Sequence, residues 1–221
     1  MQDISLKRII ENNRVGLGTI EGNLLSAAGG KDIRTLFVTS ARPREGKTST
    51  AASLAYGLSV NSGDPILLIE GSTTHPCFHQ LFSLDDKKPG FADYLLERAS
   101  LEQVVQPTEF DGIMVIPGGN SGADKDWRGA LKEDVFKVKL ADLKKNYAYV
   151  VFDGDALFAS SVPSIQARHF DGVILTVECG KTKWEVLNLA REKISNTGAN
   201  VVGVVLNKRE YAIPSKVYSK V

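Results

Sequence analysis

Cysteine is scarce in this chain, and the two present do not form a pattern: Cys77 and Cys179 have no CxxC spacing and no histidine at metal-ligand intervals. Neither a disulfide framework nor a zinc site is supported, and a reducing, cytoplasmic compartment is expected. No apolar run approaches the roughly 18 residues of a membrane helix, and the opening MQDISLKRIIENNR lacks the apolar stretch of a signal peptide, so no transmembrane segment is expected. Net charge is nearly absent as well. With 27 Lys and Arg against 26 Asp and Glu, a formal +1, no global field draws the chain to nucleic acid or anionic lipid, and no nucleic-acid partner is expected. Internal repeats and low-complexity tracts are also missing.

What is present is the composition of a folded domain. Hydrophobic residues make up 43% of the 221 positions, enough for a large core, and the chain reads as one domain over residues 1–221. It begins with a helical segment over 1–33 and closes with a tail over 209–221. Between them, short apolar runs recur: TLFV from Thr35, ILLI from Ile66, GIMVI from Gly112, YVVF from Tyr149, GVILTV from Gly172 and VVGVVL from Val201. Continuous rather than alternating runs predict strands buried on both faces of a parallel sheet, with helices between them. Ala51, Leu54, Ala55 and Leu58 repeat at helical spacing, and Asn61 with Gly63 supplies a stop. Thr182 and Glu185 form a capping-box pattern ahead of Leu187, Ala190 and Ile194, and Gly198 ends that helix. Trp127 and Trp184 are expected to pack helices. His75, His79 and His169 lack metal spacing and read as ordinary surface or strand-end residues.

Directly after the first run comes SARPREGKTST, where Gly46, Lys47 and Thr48 open the Ala-rich helix. A nucleoside triphosphate needs a ring of backbone N–H groups, a positive helix N-terminus, a lysine for the β and γ phosphates and a hydroxyl for magnesium. Gly46 lets the backbone approach, Lys47 supplies the charge, Thr48 is placed for the metal, and Ser49 or Thr50 for the α phosphate. Ala41 stands where the usual GxxxxGK[ST] pattern begins with glycine, so strand and helix context carry the assignment.

The string FVTSARPREGKTSTAASLA resembles the P-loop of the bacterial tyrosine kinase (BY-kinase) family, cytoplasmic ATPase modules of exopolysaccharide synthesis and export. The resemblance continues in order through ILLIEGSTTHP, PGFADYLLERASLEQVVQPT, IMVIPGGN, YAYVVFDGD, FDGVILTVECGKTKWE and GANVVGVVLNK, spanning Thr35 to Lys208. It implies an α/β P-loop NTPase fold, a doubly wound, mainly parallel sheet with helices on both faces, as in the related MinD/ParA ATPases. It implies ATP and Mg2+ as ligands and a nucleotide-dependent homodimer. The implied partner is an inner-membrane polysaccharide chain-length or export protein, which would hold the chain peripherally at that membrane. Carried onto this sequence, it gives Lys47, Glu70 and Asp153 catalytic roles and assigns the metal to Thr48, Glu70 and, through a water, Asp153. Nucleotide contacts fall to Arg44, Glu45, Gly46, Lys47, Thr48, Ser49 and Asn207, the last reading the adenine edge.

This chain departs from the family at informative places. Where relatives have two aspartates after the second strand, for magnesium and for the attacking hydroxyl, it has Glu70 and Ser72. Gly154, Asp155 and Ala156 replace the usual Ser/Thr-Pro-Pro after Asp153, and Asp155 is a candidate for the lost charge. The family's N-terminal oligomerisation residues would fall on Val15, Gly18 and Glu21, none of which matches. Only Tyr211 and Tyr218 stand where relatives carry a dense tyrosine tail. Three readings stay open. The first is an ATP-binding regulator of exopolysaccharide synthesis or export acting through a membrane partner, with weak ATPase or tyrosine autokinase activity on Tyr211 or Tyr218. The second is a catalytically impaired nucleotide switch or scaffold. The third, ranked lower, is a MinD/ParA-type positioning ATPase.

Overall fold

The computed structural model describes residues 22–24, 26, 32–72, 75–119 and 134–209. Seven strands form one sheet: β1 (Thr35–Ser40), β2 (Ile66–Glu70), β3 (Gln106–Pro107), β4 (Ile113–Ile116), β5 (Tyr149–Asp153), β6 (Gly172–Glu178) and β7 (Val201–Asn207). Their spatial order is β3-β4-β2-β5-β1-β6-β7, and every pairing is parallel except the two-residue β3 against β4. The helices are α1 (Lys47–Asn61), α2 (Phe78–Leu81), α3 (Phe91–Leu95), α4 (Leu101–Val104), α5 (Asp134–Asn146), α6 (Val162–Ala167) and α7 (Trp184–Ser195). Among the described residues, none is long and apolar enough to cross a membrane.

Two apolar layers explain the unbroken hydrophobic runs. Leu36 and Val38 of β1 belong to a cluster with Ala51, Ala52, Leu54, Ala55 and Leu58 of α1, whereas Phe37 between them belongs to the opposite cluster with Phe91, Phe136 and Phe152. Successive strand residues face opposite sides, so a strand covered twice must be apolar at every position. The alanines of α1 let that helix lie close to β1, β2 and β5. In the second layer, Phe37 stacks on Phe152 at 5.7 Å between centroids, and Phe170 meets the two rings at 5.1 and 5.4 Å.

These rings explain a glycine beside the site. A Cβ on Gly154 would lie 2.3 Å from the Phe37 ring, and one on Gly71 would lie 2.0 Å from the Phe152 ring. No side chain, hydroxyl-bearing or otherwise, fits at 154 while those phenylalanines remain. Gly154→Ala is expected to cost about 1–3 kcal/mol through overpacking; urea unfolding measures it, and Phe37→Leu in the same chain should recover part of the loss.

Three sequence expectations are corrected. The last run is not buried on both faces: β7 is an edge strand whose Val204 and Leu206 are 44% and 65% exposed. Thr182 does not cap α7, whose N-cap is Lys183 with no side-chain cap bond. Its hydroxyl bonds elsewhere, as described below. Trp184 is 67% exposed and packs no helix interface. Trp127, like Val15, Gly18, Glu21, Tyr211 and Tyr218, lies outside the described residues.

Candidate nucleotide site

The carboxyl ends of β1, β5 and β2 lie side by side, because β5 pairs with both of the others and Asp153 stands in register with Val38 and Glu70. From β1 the chain enters α1 on one face and proceeds to β2, while β6 and β7 lie on the opposite side of β1. Open α/β sheets place their ligands at such a change of direction, outside the strand ends.

The loop from Ala41 to Gly46 ends with Gly46 in the left-handed region, φ 95°, and Thr50 N–H donating to the Gly46 carbonyl at 3.0 Å. No side chain caps α1, and its first turn holds no acidic residue. The opening N–H groups of a fifteen-residue helix, and the positive end of its dipole, are thus left for an external anion. Beside them lies a cleft of about 270 Å³ lined by Pro43, Arg44, Gly46, Lys47, Thr48, His75, Cys77, Ala156 and Ala159.

Thr48 Oγ1 donates to Asp153 Oδ2 at 2.7 Å. A hydroxyl that has given its proton to a carboxylate keeps its lone pairs for a cation. Asp153 is fully buried, and its other oxygen, Oδ1, has no hydrogen-bond partner. Such an orphaned buried atom is costly unless a ligand or ion completes it. Burial pushes the Asp153 carboxyl up to about 7, against the opposing pull of Lys47 and the Thr48 hydrogen bond, with Glu70 and Asp155 adding to the rise. The unliganded protein therefore retains this proton over a range where the unfolded chain has lost it. Stability from this group is complete below about pH 4 and falls as pH rises to about 7, by up to about 4 kcal/mol. Asp153→Asn is expected to flatten that slope in urea unfolding from pH 4 to 8 and to make the unliganded chain more stable at pH 8.

Glu70 is also fully buried, but both its oxygens are engaged. Oε1 accepts from the N–H groups of Cys77 and, at 2.9 Å, Phe78; Oε2 accepts from Gly118 N–H at 2.8 Å. The carboxylate thus ties the end of β2 to the start of α2 and to the segment after β4, a structural task that the sequence reading did not contain. Cys77, at the cleft wall, has its thiol pushed up to about 12 by burial, then by Glu70 and Asp153, against Lys47 and Thr48. It remains a protonated thiol at neutral pH.

The other expected residues divide. Arg44 stands exposed at the cleft rim with φ 67°, a conformation that favours glycine. Ser49 lies in the first turn of α1, half-buried. Glu45 is only 4% exposed and is turned inward: its carboxylate accepts from Arg42 N–H at 2.8 Å and from the Thr182 hydroxyl. Asn207 Nδ2 donates to the Glu45 carbonyl at 3.0 Å, and a Cβ on Gly46 would lie 1.8 Å from that nitrogen. Lys208 Nζ donates to the Arg44 carbonyl at 2.6 Å and pairs with Glu178 at 3.0 Å. Sequence reasoning missed Thr182, Glu178 and Lys208 as supports of the loop. Only the proximity of Thr182 and Lys208 to the ends of the last two strands marked them.

Among the described residues, no group of three or more His, Cys, Asp or Glu is arranged to hold a metal ion. A divalent ion here would take its ligands from Thr48, water and phosphate, as magnesium does beside nucleotides. The helix start, the orphaned Asp153 oxygen and the Thr48 lone pairs fit a magnesium-bound polyphosphate.

No protein-family model matches the chain. It is 29% identical over 180 residues to the tyrosine-protein kinase CpsD of Streptococcus agalactiae serotype III, covering 81% of this chain and 76% of that one. To the tyrosine-protein kinase YwqD of Bacillus subtilis it is 28% identical over 195 residues, 87% of this chain and 79% of that one. Among solved structures it matches the kinase domain of VpsO with a TM-score of 0.78 at 28% identity, over 87% of this chain and 93% of that one. The septum site-determining protein MinD of Pyrococcus horikoshii, complexed with Mg-ADP, aligns with a TM-score of 0.66 at 20% identity, over 85% and 76% of the two chains, and shares the fold. The chain is a divergent relative of the bacterial tyrosine kinases, built on the P-loop fold that they have in common with MinD-type ATPases.

Proposed function

We propose that this chain binds ATP with magnesium at the cleft beside α1 and uses the bound nucleotide to regulate exopolysaccharide synthesis or export through an inner-membrane partner. The observation that carries the nucleotide is the uncapped start of α1 against Asp153, whose Oδ1 has no partner. Backbone N–H groups from Gly46 onward hold the phosphates, Lys47 neutralises the β and γ groups, and Thr48 presents its oxygen to magnesium. Asp153 orients the metal's water. Glu70 adds negative potential beside the metal, with its carboxylate held in place by three backbone donors. Magnesium supplies charge neutralisation along the triphosphate. An adenine contact at Asn207 rests on the likeness to the tyrosine kinases, with its amide nitrogen already given to the Glu45 carbonyl. The polysaccharide setting, the membrane partner and a nucleotide-dependent homodimer rest on the likeness to the tyrosine kinases.

The nucleotide claim is tested by isothermal calorimetry with MgATP; no heat at saturating nucleotide would end it. Light scattering of wild type and Lys47→Ala, each with and without MgATP, reads the dimer: an ATP-dependent mass increase in wild type alone is expected. Mass spectrometry after incubation with MgATP reads autophosphorylation at Tyr211 and Tyr218, and its absence alongside ATP binding favours the switch reading. That second reading draws on Ser72, which places a hydroxyl where the kinases resembled here carry a carboxylate.

A further inference from the structure

Two walls of the nucleotide cleft are fastened to α7, one near each end of that helix. The first wall is the phosphate loop. Thr182, just ahead of α7, donates its hydroxyl to Glu45 Oε1 and accepts from Glu178 N–H at 3.1 Å. Glu45 is buried, and its Oε2 accepts from Arg42 N–H at 2.8 Å, so one carboxylate joins both ends of the stretch 42–45 to the segment that follows β6. The second wall is the loop after β5, whose Ala156 and Ala159 line the cleft. Lys193, in the last turn of α7, donates to the Leu157 carbonyl at 2.6 Å and to the Ser160 carbonyl at 3.4 Å, and its ammonium lies 5.6 Å from the centre of the Phe158 ring. Thr182 and Lys193 do not themselves line the cleft; each holds main chain beside residues that do.

The N–H groups of a phosphate loop converge on an anion in few of the conformations open to a free loop, and ordering them on binding costs affinity unless the fold has ordered them beforehand. Here that ordering is visible. Arg44 has φ 67°, and a non-glycine residue persists in this region only where its surroundings over-determine it. The Thr182–Glu45–Arg42 chain does so, together with the bonds from Lys208 and Asn207 to the carbonyls of Arg44 and Glu45. A buried carboxylate with two donors keeps one orientation, because losing either donor leaves a charge short of partners away from water.

We infer that Thr182 and Lys193 are positioning residues for the nucleotide: from the two ends of α7 they hold the phosphate loop and the loop after β5 in the arrangement that receives a triphosphate, so that affinity for MgATP is set from this helix. This rests on the nucleotide-binding reading above and deepens it.

Calorimetry with MgATP and with magnesium tripolyphosphate, which carries the phosphates without the nucleoside, tests it, with urea unfolding of each unliganded variant alongside. Thr182→Val is expected to weaken both ligands by the same factor, about tenfold, the size of effect that one hydrogen bond to a charged group can have. Thr182→Ser returns the hydroxyl and should bind both within about twofold of wild type. Lys193→Met keeps the stem, removes the ammonium and should weaken both by about threefold or more. As a control, Thr108→Val removes a hydroxyl bonded to the Phe110 and Ile113 carbonyls at 3.2 and 3.0 Å, beside β4 and away from the cleft. It should lower stability and leave both affinities within about twofold of wild type. Thr182→Val or Lys193→Met binding like wild type overturns the assignment, as does Thr182→Ser binding no better than Thr182→Val, or Thr108→Val losing as much affinity. A Thr182→Val chain that does not fold without ligand also overturns it, because the hydroxyl would then hold the fold rather than the cleft. Wild type that binds MgATP but not the tripolyphosphate overturns it and leaves nucleotide binding standing; wild type that binds neither overturns both.

Discussion

Lys47→Ala is expected to weaken MgATP binding by about 100- to 1000-fold. An ammonium about 4 Å from a phosphate charge in a protein cleft contributes roughly 4 kcal/mol at an effective dielectric near 20. Solvent and magnesium recover part of that when the ammonium is removed, and each 1.4 kcal/mol that remains is a factor of ten. Lys47 is half-buried at the first position of α1, where its charge opposes the burial-driven rise of the Asp153 carboxyl. The melting temperature of the variant without nucleotide is measured alongside, so that calorimetry is read on folded protein. Lys47→Arg should restore little, because a planar guanidinium is a poor replacement for a compact ammonium between two phosphates. Affinity within threefold of wild type for Lys47→Ala would place the triphosphate elsewhere.

Glu70→Ala is expected to destabilise the unliganded protein by about 3 kcal/mol or more. The substitution strands three backbone N–H groups, those of Cys77, Phe78 and Gly118. Each buried donor left without an acceptor costs about 1–3 kcal/mol, and relief from burying the charge offsets only part of the sum. Against a total stability of about 5–15 kcal/mol this is a large fraction, read by urea unfolding with MgATP omitted. Glu70→Gln should also destabilise, although it keeps the shape, because its NH₂ group is set against at least one N–H that needs an acceptor. Glu70→Ala as stable as wild type would mean that the three donors are satisfied by water.

How much of this was legible in the sequence follows from how local each signal is. Five of the six long strands could be read because a strand packed on both sides must be apolar throughout, β7 because its run is apolar although it lies at the sheet edge, and α1 because its alanines and leucines repeat at helical spacing. Gly46, Lys47 and Thr48 could be located because the phosphate cradle is built from consecutive residues. The two-residue β3 carries no periodicity and was missed. Thr182 has the local pattern of a cap, yet its hydroxyl meets Glu45, 137 positions away. Such a partner leaves no trace at the near end, so the local rule gave the wrong partner. Glu70 shows another limit: a carboxylate after ILLI suggests metal chemistry, and its additional partners are main-chain donors, which every sequence possesses and none advertises. Gly154 looked like a simple departure until the ring of Phe37 occupied the space a side chain would need.

The ties from Asn207 and Lys208 to the loop at Arg44 and Glu45 join positions more than 160 residues apart. A chain emerging from the ribosome makes its phosphate cradle more than 160 residues before the fastening for that cradle. Until β7 has paired with β6, the loop lacks two of its anchors, so competence for nucleotide arrives with β7 rather than with the segment that touches phosphate.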